Sequence, residues 1–208
     1  MSLSWVDISN MALSRIGVST RVTDLTNNDK SSVTCNTFIY TCRDAVLEGW
    51  DWKSVSTRAQ LTKDATVPID SAAGGFLNRY LLPSNPYCLV VREMLHSSYN
   101  WVVEGRYLLT DADSGTEDIF IRYTASTGDP SLLTALCAKA IAWRMAAEIC
   151  NSFVQGNVAT GQAAIMKEYY MIIEEAQGAN QYFDKNHDED GPSVFDSTSD
   201  YDSWTAAG

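Results

Sequence analysis

Few residues in this chain have the types and spacing that chemistry needs. There are two histidines. His96 stands beside Ser97 and Ser98, and His187 lies near the C-terminal end. A nucleophilic site needs a base within hydrogen-bond reach of its hydroxyl or thiol, with a third group to orient the base. Neither histidine sits in such a pattern, so both read as surface residues. The run NHDEDG (186–191) places oxygen ligands at alternate positions before a glycine, like the start of a calcium loop. The pattern fails where a bidentate glutamate is needed, because Ser197 stands there and Pro192 follows the glycine. It reads as a polar turn. Asp111 and Asp113 before Gly115 suit a hairpin loop better than a cation site. No glycine-rich phosphate cradle of either common spacing is present. Acids are plentiful enough for a carboxylate pair that hydrolyses sugars, but no pair stands out from the rest. The expectation is therefore no catalytic group, no metal and no cofactor.

Five cysteines (Cys35, Cys42, Cys88, Cys137, Cys150) form no C-x-x-C pair. Cys35 and Cys42 are separated by roughly 10 Å of helical rise, beyond disulfide reach. All five read as buried thiols in a reducing compartment. The N-terminus carries no basic region followed by an apolar core, so no signal peptide is expected. Residues 132–150 are rich in apolar side chains but hold Lys139, Arg144 and Glu148. They read as a buried helix, with no membrane span expected.

The 208 residues hold 26 acids and 15 bases, a net charge of −11. Its distribution is uneven. Residues 174–208 contain nine of the acids and one base, Lys185, which leaves the first 173 residues near −3. Such a chain is not expected to bind nucleic acid by neutralising phosphates. The acidic stretch carries Tyr182, Phe183, Phe195, Tyr201 and Trp204 among its charges. Aromatics interleaved with acids suit an arm that stays soluble when free and docks in apolar grooves.

The elements that would hold any site follow from periodicity. Ser4 can cap a first helix through Trp5, Ile8, Met11, Ala12 and Ile16, which Gly17 would stop. A second helix is expected over about 30–48, with the stripe Cys35, Phe38, Ile39, Cys42, Val46. It runs into DAVLEGWDW (44–52), where Trp50 and Trp52 bracket Asp51. Two bulky aromatics where the period changes mark a packed joint between a helical part and a β part. From Lys53 the pattern is β-like. Short strands are expected near 53–61, 80–83, 88–91, 101–103, 107–109 and 119–123, with a tight hairpin at Glu104-Gly105. Asp129-Pro130 is expected to open a third helix, apolar almost all round. A fourth is expected over about 159–178. The fold class is α+β. Residues 1–52 and 127–183 would form a helical bundle, 53–126 an inserted small antiparallel sheet or sandwich, and 184–208 an acidic C-terminal arm.

Several stretches, taken in order, resemble a known family. They are MALSRIG (11–17), RDAVLEGWDW (43–52), YLLP (80–83) with CLVVREM (88–94), VVEGRYLLT (102–110) and LCAKAIAWRMAAEI (136–149). Each is weak alone, and their order and spacing together are more specific. The chain resembles the tail tubular protein A family, the head-to-tail adaptors of short-tailed phages, over about residues 8–177. YDSWTAA (201–207) is similar to the tryptophan-containing end of such adaptors. The resemblance implies a homo-oligomeric ring of twelve subunits in the virion tail, assembled in the host bacterial cytoplasm. The portal protein would sit above it and the nozzle, tail tubular protein B, below. Tail fibres would attach near the nozzle junction, and double-stranded DNA would pass through the channel without specific binding. Twelve chains at −11 would give roughly −130 before counterions, and a negative lumen limits sticking of a polyanion. Two other readings remain open on the residues alone: a tail-associated peptidoglycan hydrolase, and an unrelated α+β interaction module.

Overall fold

The computed structural model describes residues 3–64, 76, 78–95, 99–112, 118–153 and 158–181. The described residues form four α-helices and two antiparallel sheets. Helix α1 spans Trp5–Arg15 and α2 spans Lys30–Gly49. Strands β1 (Ser56–Gln60), β2 (Thr62–Lys63), β3 (Asn78–Leu81), β4 (Cys88–Leu95), β5 (Trp101–Glu104), β6 (Tyr107–Thr110) and β7 (Phe120–Ala125) follow. Helices α3 (Ala135–Phe153) and α4 (Val158–Gln181) close the described chain.

Local chemistry sets the helix ends. Ser4 and Asp7 form a reciprocal capping box, with Asp7 N donating to Ser4 Oγ at 3.1 Å and Ser4 N to Asp7 Oδ2 at 3.0 Å. The chain leaves α1 through Gly17, whose φ of +77° is a left-handed conformation that L side chains rarely adopt. Asp29 caps α2 by accepting from Ser32 N at 3.0 Å.

Several expected boundaries move: β4 runs on to Leu95, β7 to Ala125 and α4 to Gln181. The β-like stretch after Trp52 begins with a 3-10 turn, Lys53–Val55, and β1 starts only at Ser56. In a 3-10 turn residues three apart share a face, so Trp52 and Val55 both enter the helical core. Pro130 opens only another short 3-10 turn, Pro130–Leu132. Leu133 is extended at φ −77°, ψ 136°, which ends that turn. The effective cap of α3 is Thr134, whose Oγ1 accepts from Cys137 N at 3.2 Å.

Helix α3 packs against α1, α2 and α4. Cys137, Ala140, Ile141, Met145, Ala146 and Ile149 are wholly buried along it. Its alanines shorten the distance at which neighbouring helices can approach. Full burial of a side chain such as Ile141 or Ile149 contributes about 1.5–3 kcal/mol.

The β part consists of two sheets, ordered β1-β7-β4 and β2-β3-β6-β5. In the first, β7 lies between strands distant in sequence, with Thr57 opposite Tyr123 and Val91 opposite the same tyrosine. In the second, the β5–β6 hairpin turns at Gly105, where φ is +59°. Both sheets contribute to one apolar core around Tyr80, Leu108, Ile121 and Tyr123. A backbone hydrogen bond from Leu61 N to Ile119 O at 2.8 Å continues the pairing past β1.

Candidate functional site

The residues where α2 meets the sheets form the most elaborate side-chain constellation in the described chain. Trp50 ends α2 in an extended conformation, φ −145° and ψ 151°. Trp52 turns inward and is 3% exposed. Its Nε1 donates at 2.9 Å to the carbonyl of Val46, one of the acceptors left over at a helix C-terminus. Trp50 is only half-buried against the helical core. Its Nε1 is buried with no protein hydrogen-bond partner. The two tryptophans of the joint are therefore unequal.

Three arginines complete the constellation. Arg92, on β4, donates from Nη2 to the carbonyls of Leu47, Glu48 and Trp50 at 2.8, 3.0 and 2.8 Å. Its Nε donates to Thr124 Oγ1 at 2.8 Å. A cation at the negative end of a helix is favoured by the macrodipole as well as by the hydrogen bonds. Desolvation lowers the Arg92 pKa, and the nearby charges of Asp51 and Glu48 oppose that effect.

Arg122, on β7, donates from Nη1 to both carboxylate oxygens of Asp51 at 2.9 Å and from Nε to Glu93 Oε2 at 3.1 Å. Lys53 Nζ lies 3.3 Å from Asp51 Oδ2. Burial pushes the Asp51 carboxyl upward. The hydrogen bonds and charge of Arg122, helped by Lys53, outweigh it and hold the group below its ordinary range.

Arg43, on α2, is the third. It is 9% exposed and donates to the carbonyl of Thr127 at 2.9 Å and to Ser126 Oγ at 2.8 Å. Its guanidinium is also paired with Asp44 and lies 5.2 Å from the centre of the Tyr40 ring and 5.8 Å from that of Trp5. Trp5 Nε1 in turn donates to Gly128 O at 2.9 Å. Each guanidinium is held by carbonyls or carboxylates, an arrangement that fixes two parts of a chain against one another.

Sequence reasoning found Trp50 and Trp52 and missed all three arginines. One signal was available: Arg92 follows the apolar run Cys88–Val91 and Arg122 stands between Ile121 and Tyr123, as charges do when a partner awaits them across a packed interface.

Asp111 is not in the hairpin loop expected of it, because the strands on either side, β6 and β7, lie in different sheets; it accepts from Asn100 N at 2.9 Å and Asn100 Nδ2 at 2.7 Å at the open end of the β5–β6 hairpin. Asp113, Gly115, His96, Ser97, Ser98, His187 and the run 186–191 lie outside the described residues, as do Tyr182, Phe183, Phe195, Tyr201 and Trp204. The five cysteines are buried free thiols. Desolvation pushes Cys35 and Cys88 up to about 11, and Cys42 and Cys137 up to about 12. Among the described residues, no group of three or more His, Cys, Asp or Glu side chains is placed to hold a metal ion. No described helix is long and apolar enough to cross a membrane.

Beside the joint lies an apolar groove of about 510 Å³, walled by Trp52, Thr134, Leu136, Ala176 and Ala179 among others. It is bounded by the start of α3 and the last turns of α4.

No protein-family model matches the chain, and no curated protein matches it in sequence.

Proposed function

We propose that this protein is a structural, non-enzymatic adaptor of a phage tail, forming a ring between the portal and the nozzle through which DNA passes. In this reading the N-terminal and C-terminal helix pairs make one bundle with the β part inserted between them. The observation that carries the proposal is the ordered set of stretches resembling tail tubular protein A. Further support comes from what those stretches contain. RDAVLEGWDW includes Arg43, Asp51 and both tryptophans, CLVVREM includes Arg92 and Glu93, and VVEGRYLLT includes the hairpin glycine Gly105. The residues behind the resemblance thus supply much of the polar joint between helices and sheets. A subunit that must present two rigid ends to different neighbours needs such a joint. The acidic charge of the chain suits a channel that a polyanion passes without sticking.

Mixing the purified protein with its cognate portal and imaging by electron microscopy tests the proposal. The expected result is a cyclic ring seated on the portal. Absence of both ring and portal binding overturns it.

A further inference from the structure

Each sheet ends in two edge strands, β1 and β4 in the first and β2 and β5 in the second. An unpaired strand edge invites pairing with another chain unless charges, brevity or bulges blunt it. Three of these edges are blunted. β1 exposes Arg58, β2 is two residues long and includes Lys63, and the pairing of β4 is broken by two register shifts. β5 pairs regularly and reads Trp-Val-Val-Glu, with no cation, proline or bulge.

The backbone of β5 turns a fixed set of groups outward. Asn100 O accepts from Asp111 N at 3.3 Å, and Glu104 pairs with Tyr107 across the turn. Hydrogen-bonded and non-hydrogen-bonded pairs alternate along an antiparallel ladder. The N–H and C=O of Trp101 and Val103 therefore point away from β6, and among the described residues no strand pairs with this edge. Val103 stands opposite Leu108, which is wholly buried, yet Val103 is 39% exposed. Cross-strand partners share a face, so the β core is open here. A cleft of about 320 Å³ lies at the opening, lined by Trp101 and Val103, by the run Tyr87–Val91 and by Leu82.

The cleft is charged at its two ends. Arg106 lines it and donates from Nη1 to Cys88 O at 2.8 Å, which places it at the start of that run. Glu48 lines it too, and its carbonyl is held by Arg92, just past Val91. Among the described residues neither Arg106 nor Glu48 forms an ion pair.

We infer that the edge of β5 takes an extended segment of a partner protein, which adds a strand to the second sheet. Main-chain hydrogen bonds to Trp101 and Val103 hold the segment, and its alternate side chains enter the cleft over Leu82 and Val91. Those side chains are apolar, to match the walls. An acidic residue suits the Arg106 end and a basic residue the Glu48 end. β5 spans about 13 Å, the reach of a short segment. None of this depends on the ring reading.

Short random peptides selected on immobilised full-length protein test the inference. Enriched peptides are expected to share apolar residues at alternate positions between an acidic and a basic end. A synthetic copy of the most enriched peptide is expected to slow hydrogen exchange at the Trp101 and Val103 amides and to give cross-strand nuclear Overhauser contacts with β5. Val103→Pro removes an outward N–H that the β6 ladder does not use and is expected to weaken binding roughly tenfold. Val103→Lys sets a charge at the mouth of the cleft and is expected to weaken it as well, so the test does not rest on the proline variant folding. No enrichment, binding that survives both substitutions, or contacts that map to the groove beside Trp52 overturn the inference. A Val103 amide already protected in the free monomer overturns it, because the chain then covers its own edge. Protection that appears only as the protein self-associates makes a second copy the occupant and overturns it too.

Discussion

Arg92 Nη2 donates to the carbonyl oxygen of Trp50 at 2.8 Å, so a strand residue closes a helix whose C-cap stands forty-two positions earlier. The same nitrogen reaches Leu47 O and Glu48 O. Replacing Arg92 with alanine strands these acceptors and removes a charge from the helix C-terminus. The expected loss is about 2–3 kcal/mol in urea unfolding. Arg92→Lys is expected to recover only part of it, because an ammonium lacks the fork that reaches carbonyls and Thr124 together. A lysine variant as stable as the parent would show that charge alone matters.

The two tryptophans of the joint should separate under mutation. Trp52→Ala removes a buried indole and its bond to Val46 O, at a cost of roughly 3–5 kcal/mol. Trp50→Ala is expected to cost clearly less, since that ring is half-buried. Trp50→Phe should lie within about 1 kcal/mol of the parent, because the lost N–H has no protein partner. Chemical denaturation of the three variants provides the comparison, and equal losses for the two alanine variants would contradict it.

Asp51 gives a pH dependence. Its folded-state pKa lies below the ordinary value, so its contribution is fully present above the unfolded pKa of about 3.9. The contribution is lost as pH falls through the lower folded value. Between pH about 5 and 2 the parent should lose more stability than Asp51→Asn, whose side chain does not titrate there. Parallel stability–pH curves for the two proteins would remove Arg122–Asp51 from the acid response.

The buried thiols should resist alkylation. Cys35, Cys42, Cys88 and Cys137 are at most 2% exposed, with thiol pKa values of about 11 to 12. At pH 8 almost none is thiolate, the reactive form. A disulfide-exchange reagent is expected to react with them only on the timescale of unfolding, and at once in denaturant. Rapid native labelling at any of the four would contradict their burial.

The arm can be tested apart from the body. Removing residues 184–208 takes away seven acids, one base and the aromatics Phe195, Tyr201 and Trp204. The body is expected to keep its unfolding midpoint while portal binding weakens, measured by cosedimentation. Undiminished portal affinity would deny the arm a docking role.

Apolar residues at three- and four-residue steps, with end signals such as Ser4 and Gly17, made the existence of the four helices legible, though not the start of α3. The β5–β6 hairpin was determined as well, where Gly105 supplies a positive φ. The placing of a bulky joint at Trp50 and Trp52 was legible too, since the hydrophobic period changes there. Several features were decided only by the tertiary structure. The strands sort into two sheets, with β7 between β1 and β4, because long-range pairing is chosen by which faces can share a core. Pro130 starts only a 3-10 turn, and the helix proper waits for Thr134. Trp52 is buried and Trp50 only half so, and Arg43, Arg92 and Arg122 become ties between helices and sheets. A local window specifies a residue's own backbone preference. It does not specify which carbonyl, forty or eighty residues away, will accept that residue's hydrogen bond once the chain has folded back on itself.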